Sequence, residues 1–179
     1  ALDASLVYDA FRPVVATAMR RLDVRIAVSE AARAFPQSRF PGSFRIIPNG
    51  VPVEMYAPAV GAAKVRGRIV FIGRAERRKG LGVLLRAFTL LRRRMPHATL
   101  VVAGATRRQA LEADHDGSDL PVDMTGVEAL GWVDDAEKMT QLALAEVACA
   151  PSLASESFGI VLAEAMAAGV PVVATRVGF

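Results

Sequence analysis

Two glutamates and two groups of cations hold most of the chemistry this sequence can perform. Glu156 and Glu164 have seven residues between them in Glu156-Ser157-Phe158-Gly159-Ile160-Val161-Leu162-Ala163-Glu164. On one continuous helix they would lie about 12 Å apart and about 80° around the axis. That exceeds the roughly 5 to 9.5 Å of a carboxylate pair working on a single bond. The spacing suits two hooks for the two ends of an elongated ligand. Between them, the free N–H groups near Phe158 and Gly159 form a ready anion site at a helix start. Gly159 has no side chain to hold a phosphate away. The ligand implied is sugar–phosphate–phosphate–nucleoside. The plainer alternative is an acid complementing a helix dipole, followed by a solvated glutamate.

A second group is Gly73-Arg74-Ala75-Glu76-Arg77-Arg78-Lys79-Gly80. Gly73 lets backbone approach a ligand, and Arg74 and Lys79 can neutralise a diphosphate leaving group. The spacing is not that of a Walker A loop. A charged surface turn is the competing reading. The third group, Gly131-Trp132-Val133-Asp134-Asp135-Ala136-Glu137-Lys138, reads locally as an Asp cap with an Asp135–Lys138 pair. His97 and His115 lack a second ligand at metal spacing, and Cys149 is the single cysteine, so no metal site and no disulfide are expected.

These residues need elements to hold them. Ser155 and Ser157 are helix starters, and Phe158, Val161, Leu162, Ala165 and Met166 recur at helical spacing as an apolar face. Gly169 and Pro171 stop that helix, and Val170 to Ala174 reads as a strand buried on both faces of a parallel sheet. Further strands are expected at Ile69–Ile72, Thr99–Ala103, Glu128–Leu130 and Val147–Ala150, with helices after Gly80, over about 107–113 and over 135–145. About five parallel strands alternating with helices make a doubly wound, Rossmann-like α/β unit. Before it, residues 4–22 read as an amphipathic helix in which Pro13 is either a kink or a true start. A strand at 24–28, a helix from Ser29 to Phe35, a loop at 36–43 and a strand at 44–47 follow. Prolines and glycines thicken over 51–67, which reads as an interdomain linker.

The Glu-Ser-Phe-Gly-Ile-Val-Leu-Ala-Glu-Ala-Met-Ala-Ala-Gly run resembles the E-x7-E motif of retaining GT-B glycosyltransferases. The Gly73-Arg74…Lys79-Gly80 loop is similar to that family's pyrophosphate-binding loop. Arg25-Ile26-Ala27-Val28-Ser29 and Val133-Asp134-Asp135-Ala136 look like segments of the phosphatidylinositol α-mannosyltransferases, which use GDP-mannose. The resemblance covers roughly residues 23 to 175. It implies the donor-binding half of a GT-B fold, truncated at both ends. Residues 1–50 would then be the tail of an acceptor-binding domain, 51–67 the linker and 68–179 an incomplete donor-binding domain. It assigns Glu156, Arg74 and Lys79 to catalysis. Gly73, Phe158, Gly159, Ile160 and Glu164 join those three around the donor, with Glu164 on the ribose. Val133, Asp135 and Lys138 would touch the base. The donor would be a nucleotide sugar, GDP-mannose with or without Mg2+, and the acceptor a lipid or glycan. A UDP-sugar-dependent glucosyl- or N-acetylglucosaminyl-transferase, and a nucleotide-binding module without catalysis, are the alternatives. One departure is Gly104-Ala105-Thr106, where members often carry a second glycine in place of Thr106.

Composition sets the outer bounds. At 179 residues, 53% hydrophobic and 22% charged, the chain is a packed globular protein and not a disordered one. A net charge of +4 favours anionic partners, an acidic membrane surface included. Arg92-Arg93-Arg94 without interleaved aromatics reads as a solvated helix end and not a nucleic-acid surface. The first helix carries Asp9, Arg12, Arg20 and Arg21, too many charges for a membrane span. Together these features lead us to expect a cytoplasmic protein, peripheral at the inner face of the membrane.

Overall fold

The computed structural model describes residues 11–40, 42–113, 120–154 and 156–177. Ser155, His115 and residues 4–10, all used in the sequence reading, lie outside them. The chain divides into two compact units, Ala1–Asn49 and Gly50–Gly178.

In the first unit α1 spans Arg12–Arg20 with Pro13 in its opening turn, so Pro13 starts a helix and does not kink one. Strands β1 (Ile26–Ala27) and β2 (Arg45–Ile46) pair in parallel. Between them α2 spans Glu30–Arg39, capped by Ser29 Oγ, which accepts from the Ala32 N–H at 3.0 Å. This helix passes through Pro36, where the sequence reading placed a loop. Proline removes only its own donor, and the ladder resumes when the Phe40 N–H bonds the Pro36 carbonyl at 2.8 Å.

The second unit begins with α3 (Val53–Tyr56) and a 3-10 turn (Ala57–Ala59). Tyr56 and Ala59 are each 3% exposed and belong to the same core as Val70, Ala148 and Ala165. The segment read as a linker is thus packed into this unit. Five strands follow: β3 (Arg68–Ile72), β4 (Thr99–Ala103), β5 (Val127–Gly131), β6 (Val147–Ala150) and β7 (Val172–Ala174). All are parallel, in the spatial order β5-β4-β3-β6-β7. Helices α4 (Leu81–Arg94), α5 (Arg107–Glu112), α6 (Asp135–Leu144) and α7 (Ile160–Ala167) connect them.

Alternation along the central strands builds two cores. Phe71, Leu100 and Val102 pack with Leu85, Phe88 and Ala110 of α4 and α5. Val70 and Val101 pack with Tyr56 of α3, Leu142 of α6, Ala165 of α7 and Ala168 at the end of α7. This is the doubly wound arrangement expected from the sequence. The chain winds from β3 outward to β5, then returns to place β6 on the other side of β3. The carboxyl ends of β3 and β6 therefore flank the switch point where open α/β sheets bind ligands.

Two expectations need correction. β7 lies at the sheet edge, and Val173 is 59% exposed, so this strand is not buried on both faces. Helix α7 starts at Ile160 with Gly159 as its N-cap in a left-handed conformation (φ 75°, ψ 50°), so Ser157 does not start it. Its packed face is also turned from the one expected. Ala165 and Ala168 are fully buried, Met166 is 59% exposed, and Glu164 is carried inward to 8% exposure. The two alanines have no bulk to keep the helix away from the sheet, so close approach decides the rotation.

Candidate functional site

The loops at the carboxyl ends of the strands are fixed by glycines. Gly80 follows the 3-10 turn Arg77–Lys79 at φ 71°, and a Cβ there would lie 1.9 Å from the Pro151 carbonyl oxygen. Only glycine lets the β3–α4 loop press so closely on the β6–α7 loop. A further bond, from the Leu153 N–H to the Arg78 carbonyl at 2.7 Å, ties the same two loops. Gly104, at φ 103°, approaches the Gly73 carbonyl so closely that a Cβ would stand 2.6 Å from it. Gly73 thus lies against Gly104, and its N–H bonds the Ala103 carbonyl at 2.8 Å. Thr106, the departure noted above, caps α5 in a reciprocal capping box with Gln109.

Loop contact brings Lys79 onto Glu156. Lys79 Nζ lies 2.7 Å from Glu156 Oε2, across 77 positions of sequence. Glu156 also accepts from the Gly159 N–H at 3.1 Å and from Ser152 Oγ at 3.4 Å. Partial burial would raise its carboxyl. The Lys79 bond and charge, with Gly159 and Ser152, outweigh that and hold it below the ordinary value. One of the two N–H groups expected to face an anion, that of Gly159, is therefore already bonded to a carboxylate. Phe158 is half-buried and Ile160 exposed. Ser152, itself 6% exposed, is a site residue the sequence reading missed.

A second pair mirrors the first. Lys138 Nζ bonds Glu164 Oε1 at 2.8 Å and Asp135 Oδ1 at 2.8 Å. Burial works against its charge, but Asp135 and Glu164 prevail and raise its pKa. Asp134 caps α6 by accepting from the Glu137 N–H at 2.8 Å, so the local cap-and-pair reading of this segment holds. Lys138 reaches beyond it to the motif helix. Tyr56, 3% exposed, lies in the same core as Ala165, and burial first, then the charge of the Glu164 carboxylate, push its hydroxyl above the ordinary tyrosine range. Nothing in the sequence pattern pointed to Tyr56.

The structure does not gather every candidate. Arg74 is 76% exposed and pairs with Glu76 at 2.7 Å, a carboxylate that Arg78 shares at 2.7 Å. It lines a cavity of about 280 Å³ with Gly104 and Gln109, which Lys79 does not border. Val133 lines another, of about 540 Å³, with Leu130 and Trp132; neither Asp135 nor Lys138 borders it. Among the described residues no group of three or more His, Cys, Asp or Glu could hold a metal.

A doubly wound parallel sheet, with one lysine–glutamate pair between its loops and a second between α6 and α7, is the architecture of the GT-B fold. Residues 66–179 match the family described as Glycosyl transferases group 1, and the chain belongs to it. A phosphatidyl-myo-inositol mannosyltransferase of Mycolicibacterium smegmatis is 39% identical over 176 residues, which cover 96% of this chain and 44% of that protein. A GDP-mannose-dependent alpha-(1-6)-phosphatidylinositol monomannoside mannosyltransferase of the same organism is 34% identical, over 93% of this chain and 48% of that one. The chain thus spans about half the length of the curated relatives it matches. Among solved structures, sucrose-phosphate synthase from Thermosynechococcus elongatus superposes with a TM-score of 0.71 at 25% identity, over 95% of this chain and 45% of that chain. An Anabaena protein crystallised with UDP gives 0.71 at 22% identity, over 99% and 51%, a likeness of fold alone.

Proposed function

We propose that this chain is the donor-binding part of a retaining glycosyltransferase that moves mannose from GDP-mannose to phosphatidylinositol or a related lipid or glycan acceptor. The Lys79–Glu156 pair carries this reading. It stands between the loops that follow β3 and β6, beside the N-terminus of α7, where a diphosphate would meet both a cation and helix donors. The names of the relatives supply the sugar and the acceptor.

In the transfer, the bond from the sugar anomeric carbon to the diphosphate oxygen breaks. A bond to the acceptor oxygen forms on the same face, and the acceptor proton leaves with the diphosphate. Negative charge grows on the departing oxygen, where Lys79, Arg74 and the first turn of α7 stabilise it. Once Lys79 turns to the diphosphate, Glu156 is free to accept from the sugar hydroxyls. Glu164 accepts from the ribose, and Val133, Asp135 and Lys138 border the base. Any Mg2+ travels with the donor diphosphate. Residues 1–50 belong to the acceptor-side domain, 51–67 join the domains and 68–179 bind the donor. No helix among the described residues is long and apolar enough to cross a membrane. A peripheral position at the cytoplasmic face, held by the lipid acceptor and the net charge of +4, fits this chemistry.

Calorimetric titration of the chain with GDP, UDP and ADP tests the reading. GDP should bind most tightly, and equal or reversed affinities would overturn the guanine assignment. In a full-length enzyme carrying this chain, labelled mannose should pass from GDP-mannose to phosphatidylinositol vesicles. Labelling from UDP-glucose alone would move the reading to a UDP-sugar enzyme.

A further inference from the structure

We infer that Ser152, braced by Thr175, is a positioning residue that keeps the Glu156 carboxylate in place once Lys79 has turned to the diphosphate; this rests on the donor-site reading above. Among the described residues, three donors hold Glu156. Lys79 Nζ, at 2.7 Å, and Ser152 Oγ, at 3.4 Å, share Oε2, and the Gly159 N–H bonds Oε1 at 3.1 Å. When the ammonium leaves for the phosphates, Ser152 is the donor that remains on Oε2. Without it the carboxylate would be held by one oxygen and could swing about its last bond. Ser152 is built to stay. It is 6% exposed, and a hydroxyl so buried needs the acceptor beside it. The Thr175 hydroxyl, just past β7, bonds the Ser152 carbonyl, and the Thr175 N–H reaches the Ala150 carbonyl at 3.5 Å. One residue on, the Leu153 N–H bonds the Arg78 carbonyl at 2.7 Å. Neither anchor uses the Lys79 side chain, so both survive its departure. A glutamate held on both oxygens meets the sugar hydroxyls in one orientation, and that ordering acts on transfer and not on nucleotide binding.

Ser152→Ala removes the hydroxyl and tests this. In a full-length enzyme carrying this chain, kcat for transfer from GDP-mannose should fall by about three- to ten-fold, the scale of one lost hydrogen bond. Calorimetric affinity and stoichiometry for GDP should stay at their wild-type values. A merely structural role would lower GDP stoichiometry or affinity along with kcat, and that result would overturn the inference. Added to Glu156→Gln, Ser152→Ala should lower kcat no further. A second loss as large as the first would show that Ser152 does not act through Glu156. Thr175→Val is the second arm, at an exposed position and with the shape of the side chain kept. It should lower kcat in the same way by about two- to three-fold, and unchanged kcat there would overturn the brace. If the wild-type enzyme binds no GDP, the donor-site reading falls and this inference with it. GDP binding with a kcat that Ser152→Ala does not move sinks the inference alone.

Discussion

Glu156→Gln should tighten GDP binding while lowering transfer, and the opposed directions make it informative. Lys79 Nζ is 2.7 Å from Glu156 Oε2, so a diphosphate that takes this ammonium brings a second anion beside the carboxylate. Two such anions on one ammonium stand about 5 Å apart, and at an effective dielectric of about 20 they repel by about 3 kcal/mol. The Lys79 and Glu156 side chains are 23% and 16% exposed. Solvent screening and rotation of Glu156 away from the phosphate reduce the repulsion to about 1 kcal/mol. Glutamine removes the charge and keeps an oxygen for the Gly159 N–H. The dissociation constant for GDP should therefore fall by about five-fold, measured by calorimetry at low salt. In a full-length enzyme, transfer should fall by about 10² or more, because the sugar loses its carboxylate partner. If GDP affinity instead falls ten-fold, Glu156 holds Lys79 in place and does not compete for it, and the charge argument is refuted.

Lys79→Ala should weaken GDP and lower transfer by about 10² to 10³, the loss expected of a transition-state donor; steady-state turnover of the full-length enzyme checks it. Arg74→Ala should act in the same direction, but only if Arg74 leaves Glu76 when the donor binds, so unchanged kinetics would keep it as a surface ion pair. Because the folded-state pKa of Glu156 is depressed, its stabilisation is present above the ordinary glutamate value of 4.5 and is lost as pH falls through the lower folded value. Melting curves between pH 7 and pH 3 should thus show the gap between wild type and Glu156→Gln closing on the acid side, and a constant gap would contradict the pairing. Gly80→Ala forces a Cβ to 1.9 Å from the Pro151 carbonyl at φ 71°, and should cost about 2 kcal/mol or more in denaturant unfolding. A neutral result would mean the two loops are not pressed together.

Much of this architecture is legible in the sequence because it depends on local pattern. Runs such as Thr99–Ala103 and Val147–Ala150 announce buried parallel strands, and the observed bounds agree with those read from composition. The E-x7-E helix and the Gly-Arg…Lys-Gly loop were visible as motifs, and the family match covers both. What periodicity could not reveal is which charges meet. Lys79 and Glu156 come together only because Gly80 lets two loops touch, and Lys138 crosses 26 positions to reach Glu164. The rotation of α7 escapes periodicity for a related reason. A helical wheel ranks Met166 above alanine as a core residue, while the sheet selects the face that can come closest. Tyr56 was hidden in a stretch whose prolines and glycines read as linker, and only burial beside Ala165 shows it belongs to the core.

The most direct measurement is a crystal structure of the chain with GDP bound. The diphosphate should lie between Lys79 and the first turn of α7, with the ribose hydroxyls on the Glu164 carboxylate. Nucleotide bound away from the carboxyl ends of β3 and β6, or a diphosphate that leaves the Lys79–Glu156 pair untouched, would contradict it.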